Sequence, residues 1–213
     1  MTDFIDTIRE MVVSGKFKDI EGEVQRAVDS GTDLNSLIND ALISAMDIVG
    51  KKFADSEIYV PEMLVSATTM KRGLDIIKPL LQSGEADHRG TVAMGTVKGD
   101  LHDIGKNLVT MMMEGAGFQV IDLGVDVKIE NLLDTVKNGN VDIIGLSALL
   151  TTTMPEMENV IKVLTEAGLR DKVKVIIGGA PIDQGFADKI GADGFGADAV
   201  EAVQLARDLM AGK

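Results

Sequence analysis

Gly99-Asp100-Leu101-His102-Asp103-Ile104-Gly105 is the stretch whose reading decides the fold. The run before it, Thr91-Val-Ala-Met-Gly-Thr-Val97, is short, apolar and β-branched, which predicts a buried strand. The run after it, Lys106-Asn-Leu-Val-Thr-Met-Met-Met-Glu114, predicts a helix that stops at Gly115-Ala-Gly117. The stretch is therefore a strand-to-helix turn, where open α/β sheets put their ligands. It also carries one of the two histidines in the chain. An Asp two places before that His and a Gly three places after it suit metal coordination. One ring nitrogen binds the metal while the carboxylate holds the other. The plain alternative is a helix N-terminus, with Asp100 as its cap and His102 in the first turn.

Downstream, the alternation continues. Strands are expected at Thr91–Val97, Gln119–Leu123, Val141–Ser147, Val173–Ile177 and Ala192–Phe195. Helices are expected at Lys106–Glu114, Ile129–Asn138, Pro155–Ala167, Asp183–Ile190 and Ala199–Met210. Five βα units imply a doubly wound parallel sheet of the flavodoxin-like, Rossmann type. The first, third, fourth and fifth strands should then end along one edge. That edge would gather the His turn, Ser147 to Thr153, Gly178-Gly179-Ala180, and Gly194 to Ala199.

Upstream, the chain lacks strand-like alternation and reads as helices. The first runs from Asp3 to Val13 and the second from Asp19 to Asp29, each followed by a glycine. Thr32-Asp33 cap a third, with Leu34, Leu37, Ile38, Leu42, Ala45, Met46 and Val49 at helical spacing before Gly50. Pro61 fits the first turn of a fourth, with Leu64, Ala67, Met70, Leu74 and Ile77 on one face and an end near Pro79. Four amphipathic helices on short turns make an antiparallel bundle. The expected organisation is a helical domain over residues 1–88 and an α/β domain over 89–213, joined through the polar stretch Gln82–Gly90. His88 lies in that joint and is assigned no role.

Composition narrows the function. With 45% hydrophobic and 26% charged residues the chain is globular in type. Its net charge of −13 leaves no basic stripe to track a phosphate backbone, so nucleic acid is a poor partner. The absence of cysteine excludes disulfides, thiolate metal sites and thiol catalysis. No signal-like start and no membrane-length apolar run are visible, so the expectation is a cytoplasmic protein with no membrane partner. The twelve methionines, Met111-Met112-Met113 among them, are expected to fill core gaps. No Gly-x-Gly-x-x-Gly or Walker sequence follows the first strand, so a nucleotide has no motif to support it.

Spacing turns the His turn into a strong signal. After Gly105 come 41 residues and then Ser147-Ala148-Leu149; after Leu149 come 28 residues and then Gly178-Gly179. Asp-x-His-x-x-Gly, Ser-x-Leu and Gly-Gly in this order resemble the signature of cobalamin-binding domains that hold the cofactor with its own base displaced. With the helical domain in front, the whole chain resembles the corrinoid methyl-carrier proteins of methyltransferase systems. Those proteins are related to the cobalamin module of methionine synthase.

The resemblance assigns roles along Gly99 to Gly105. His102 would be the lower axial ligand of cobalt, and Asp100 would hold its other ring nitrogen. Thr153, standing where the relatives have a serine, would complete the relay. Ser147, Leu149 and Thr151 would contact the displaced nucleotide tail. Gly178 and Gly179 would leave room for its base, and Ala199 would add a small contact. The connection Lys51–Glu62 resembles the segment that caps the upper face of the corrin, with Phe53 and Val60 at the two apolar capping positions. The same two residues have a plainer reading as closers of the bundle core.

The implied function is to carry a methyl group on cobalt from a substrate methyltransferase to an acceptor methyltransferase using tetrahydrofolate or a thiol such as coenzyme M. A reductive activase is the third implied partner. The donor, whether methanol, a methylamine, a quaternary amine or a methoxylated aromatic, is left open. Three rivals share parts of the pattern: the cobalamin subunit of a radical carbon-skeleton mutase, a cobalamin-dependent regulator, and a flavodoxin-like module binding FMN or protein alone.

Overall fold

The computed structural model describes residues 4–80 and 89–212. These divide into two compact units, Met1–His88 with Glu114–Gly117, and Arg89–Met113 with Phe118–Lys213. The expected joint Gln82–Gly90 lies outside the described residues except for Arg89 and Gly90, and His88 lies wholly outside them.

The first unit is helical. Helices α1 (Phe4–Val13) and α2 (Ile20–Asp29) are followed by Leu34–Ser36 (α3), a π-helical segment Leu37–Ile43, and Ser44–Ala54 (α4), which run on without a break. Helix α5 spans Val60–Ile77 and ends in a 3₁₀ turn, Lys78–Leu80. Asp33 caps α3, its carboxylate accepting the Ser36 N–H at 2.8 Å. Pro61 sits in the first turn of α5, and Glu62 accepts the Tyr59 N–H at 3.1 Å. The rods pack around Ile8, Ile20, Leu37, Leu42, Met63, Met70 and Ile77, all fully buried. Each such side chain contributes about 1.5–3 kcal/mol of burial. The buried face of α5 is centred on Met63, Ala67, Met70, Gly73 and Ile77; Leu64 and Leu74, expected on it, are half-buried.

Two expectations fail here. Gly50 does not end the third helix, which continues to Ala54. A buried glycine costs a helix only about 1 kcal/mol, and packing of its neighbours Met46 and Val49 outweighs that. The connection expected over Lys51–Glu62 accordingly shrinks to residues 55–59, so Phe53 belongs to α4 and Val60 opens α5. The π-helical segment has a visible local partner: the Arg9 guanidinium donates to the Asp40 carbonyl at 3.0 and 2.7 Å.

The second unit is an all-parallel sheet in the order β2-β1-β3-β4-β5. Its strands are β1 (Thr91–Thr96), β2 (Gln119–Asp122), β3 (Ile143–Ser147), β4 (Lys174–Gly178) and β5 (Gly194–Phe195). The helices between and after them are α6 (Ile104–Gly115), α7 (Ile129–Asn138), α8 (Pro155–Glu166), α9 (Gln184–Ile190) and α10 (Ala199–Ala211). Ala93, Ile144, Leu146, Val175 and Ile177 face one core, completed by Leu132, Met157, Leu164 and Ile190 from α7, α8 and α9. Alternate strand residues such as Val92, Met94, Ile143 and Ile176 are buried too, as a parallel sheet covered on both faces requires.

Four strands are shorter than expected by one or two residues, and β4 is shifted by one, from 173–177 to Lys174–Gly178. Val97 keeps only an isolated bridge to Val127. Helix α6 begins at Ile104, two residues beyond His102, and runs through Glu114 to Gly115. Asp100 and His102 therefore belong to neither the cap nor the first turn of that helix. The plain alternative for the His turn fails. Chain order reverses between β1 and β3, so their adjacent C-terminal ends form the switch point where such sheets open a crevice.

Candidate functional site

At that switch point the turn after β1 meets the loop after β3. Register pairs Thr96 of β1 with Ser147 of β3, and Ser147 with Gly178 of β4. The three sequence motifs are thus neighbours along one edge. Ser147 is half-buried at the end of its strand, and Thr151 is exposed in the loop beyond.

Asp100 organises the turn. Its side chain is completely buried, while that of His102 is about half exposed, at 51%. One carboxylate oxygen lies 2.7 Å from His102 Nδ1 and 3.1 Å from the His102 N–H. The other accepts the Leu149 N–H at 2.8 Å, the Leu150 N–H at 3.3 Å and the Thr153 hydroxyl at 2.8 Å. Burial alone would raise this carboxyl's pKa. The donors from Leu149, the His102 ring, the His102 N–H and Thr153 outweigh it and hold the group well below the usual carboxylate range. Asp100 is therefore ionised and can only accept hydrogen bonds.

A tautomer follows from that charge. An acceptor-only carboxylate makes Nδ1 the protonated ring nitrogen, so the neutral imidazole carries its lone pair on Nε2. No described residue bonds to Nε2. In the same segment Leu101 is 72% and Ile104 87% exposed, and Leu149 and Leu150, whose amides meet Asp100, are also on the surface. Exposed apolar side chains in the segments that hold one imidazole are what a ligand seat would offer.

The donor set says what kind of metal this seat fits. Among the described residues no group of three or more His, Asp or Glu is placed to hold an ion. A metal bound by His102 alone must bring its remaining ligands with it, as a macrocycle does. Gly105 adds to the fit: a Cβ there would meet nothing of the chain within 4 Å, so the chain's own packing does not require the glycine.

Gly178 and Gly179 answer differently. A Cβ on Gly179 would lie 1.9 Å from the Ala148 carbonyl oxygen, and one on Gly178 would lie 3.0 Å from that of Gly196. Gly179 also has φ +128°, a conformation open to glycine. Backbone crowding alone thus requires a glycine at 179. Ala199 is buried at the start of α10, whose N-terminus is capped by Asp198 through the Val200 and Glu201 N–H groups. In the helical unit Phe53 is half-buried, while Val60 is 40% and its neighbour Tyr59 68% exposed. Val60 therefore does not close that unit's core.

Sequence reasoning missed the Leu149 and Leu150 amides on Asp100, because backbone groups leave no mark in a motif. It also missed Lys106, whose buried ammonium sits 2.6 Å from Asp122. Burial raises the Asp122 carboxyl, and the Lys106 bond and charge with the Gly124 N–H more than reverse it, leaving it lowered. The signal for Lys106 was present: a lysine inside an otherwise apolar helix face needs a carboxylate nearby.

Fold and site together define a protein with a single oriented, half-exposed imidazole at the switch point of a parallel sheet. A B12 binding domain model matches residues 90–204, and a second B12 binding domain model matches residues 4–78. The chain is 40% identical to a corrinoid protein of Desulfitobacterium hafniense over 210 residues, 97% of each chain. It is 45% identical to dimethylamine corrinoid protein 1 of Methanosarcina acetivorans over 180 residues, 84% of each. The solved methanol:cobalamin methyltransferase complex MtaBC from Methanosarcina barkeri superposes with a TM-score of 0.89 at 31% identity, covering 100% of this chain and 81% of that one. The chain belongs to the corrinoid methyl-carrier proteins, and its cofactor is cobalamin or a related corrinoid. Among the described residues no helix is long and apolar enough to cross a membrane.

Proposed function

We propose that this protein carries a methyl group between two methyltransferases, one drawing it from a small methylated donor and one passing it to tetrahydrofolate or a thiol. The observation that carries the reading is the Asp100–His102 contact at 2.7 Å, with no partner on Nε2 among the described residues. The bound corrinoid supplies the cobalt centre that accepts and releases the methyl group.

The chain's residues have narrower tasks. His102 would hold the metal through Nε2, in place of the cofactor's own base. Asp100 fixes the tautomer and ring direction and makes the imidazole a better donor. Thr153 donates to the far oxygen of Asp100 and keeps that carboxylate from rotating away. With Nδ1–H held by Asp100, Nε2 is the ring position that would face the metal. Ser147, Leu149 and Thr151 line the edge where the displaced tail would run, and Gly178 and Gly179 keep it clear of side chains. Phe53 and Val60 are assigned to the upper face of the ring. Names of relatives point to methylamines and methanol as donors. A reductive activase completes the partner set, and a cysteine-free chain of this kind suits the cytoplasm.

The reading is tested by loading the protein with hydroxocobalamin, reducing it, and supplying dimethylamine, trimethylamine or methanol with the methyltransferase encoded beside it. Methylated corrinoid should accumulate on the wild type with at least one donor and fall sharply on His102→Ala. A protein that never acquires a methyl group from any of them is not a carrier of this kind.

A further inference from the structure

The turn that holds His102 lies between a strand and a helix and belongs to neither. Residues 98–102 make no ladder or helical bonds, and Asp103 only accepts the first bond of α6, from the Asn107 N–H. Their backbone is fixed instead by a few tethers, and two residues outside the turn supply most of them. Thr96, fully buried at the end of β1, donates its hydroxyl to the His102 carbonyl at 2.9 Å. Asp126, in the loop after β2, accepts the Gly99 N–H on its carboxylate at 2.7 Å and donates its own N–H to the Asp100 carbonyl at 3.0 Å. The carbonyls of Asp100 and His102 and the N–H of Gly99 are thus all held from outside the turn.

The loop that carries Asp126 is itself anchored. Asp122 grips Lys106 of α6 and the Gly124 N–H, and the Gly124 carbonyl accepts the Thr96 N–H at 3.0 Å. Asp126 has φ +49° and Gly99 φ +80°, so the contact joins two residues in the left-handed region. Asp and Asn tolerate that region; most side chains do not.

We propose that Thr96 and Asp126 are positioning residues that hold the backbone beneath His102, so that the imidazole meets cobalt in one place each time it returns. The inference rests on the assignment of His102 as the lower ligand and adds residues that touch neither metal nor macrocycle. The physical basis is the share of molecules in the competent geometry: apparent affinity falls in proportion to that share. Losing one tether of an exposed turn should leave about one molecule in five correctly placed, hence an about fivefold weaker imidazole–cobalt association.

Four variants separate hydrogen bonding from side-chain size. Thr96→Val keeps the shape and loses the hydroxyl; Thr96→Ser keeps the hydroxyl. Asp126→Gly keeps the backbone conformation and loses the acceptor; Asp126→Asn keeps both. Two measurements suffice: amide exchange at Gly99 and Asp126 in the cofactor-free protein, and the imidazole-bound fraction of the reduced Co(II) form by electron paramagnetic resonance. Thr96→Val and Asp126→Gly should weaken imidazole binding about fivefold each, with Asp126→Gly also speeding Gly99 exchange, while Thr96→Ser and Asp126→Asn stay within about twofold of wild type. Unmoved Thr96→Val and Asp126→Gly, or Ser and Asn variants that fall as far, would overturn the inference alone. A wild type with no imidazole on cobalt would overturn the ligand assignment beneath it, and the inference with it.

Discussion

Two turns on the same sheet edge reach their shapes by opposite means. The turn after β1 is filled with polar contacts: one buried carboxylate receives donors from His102, Leu149, Leu150 and Thr153. The turn after β4 is defined by missing atoms, because Gly179 passes so close to the Ala148 carbonyl that no Cβ fits. The first turn holds an imidazole in one orientation, and the second leaves no room for a side chain. The proposed cofactor site would use both, and substitutions in the two turns should fail in different ways.

The largest effect is expected at the second turn. Gly179→Ala forces a methyl onto a backbone oxygen at an unfavourable φ and should cost about 4 kcal/mol of stability in the cofactor-free protein. Gly178→Ala, facing a carbonyl at 3.0 Å, should cost about 1 kcal/mol. Urea unfolding of the pair measures the contrast; equal losses would mean that the crowding at Gly179 relaxes freely.

At the first turn the losses should be smaller and show in ligand geometry. Asp100→Asn replaces one acceptor by an NH2 that must face donors on either side, the Leu149 amide and Thr153 hydroxyl or the His102 ring and N–H, at a cost of about 3 kcal/mol. It also frees the His102 tautomer, which nitrogen NMR of the ring would report as a mixture. Thr153→Val removes one donor and should cost about 1 kcal/mol. If the Asn variant keeps a single tautomer, the carboxylate is not what orients the ring.

What could be read in advance differs between the regions in the same spirit. Four β-branched runs and the short Ala192–Phe195, each followed by a turn and a helical pattern, made the sheet legible, because period and punctuation are local. Asp-x-His-x-x-Gly stood out because an imidazole and the acid that orients it lie two places apart. Gly50 misled as a helix end, since a glycine held by packed neighbours does not stop a helix, whereas α6 does end at Gly115. The π-helical segment Leu37–Ile43 carries no residue signature, and its Arg9 partner is 31 positions away from Asp40. Thr96 and Asp126 escaped for the same reason: their contacts to the His turn depend on which loops the topology brings together.

The smallest expected effect concerns acid. The Asp122 carboxyl is lowered in the folded protein by Lys106 and Gly124 against burial. Its contribution is fully present above the unfolded carboxylate value near about pH 4 and is lost as pH falls through the window beneath it. Since that side chain is 44% exposed, solvent screening limits the contribution to about 0.5 kcal/mol. Lys106→Met should flatten that part of the acid-unfolding curve; an unchanged slope would show that the pair does not favour the folded state through this charge.

The most direct test concerns which molecule supplies the lower nitrogen. Electron paramagnetic resonance of the Co(II) protein resolves coupling to one axial nitrogen, three lines for nitrogen-14 and two for nitrogen-15. Protein grown with nitrogen-15 histidine and loaded with unlabelled cobalamin should show two lines, and His102→Ala should lose them. Three lines that persist after labelling would place the cofactor's own base on cobalt and contradict the assignment of His102.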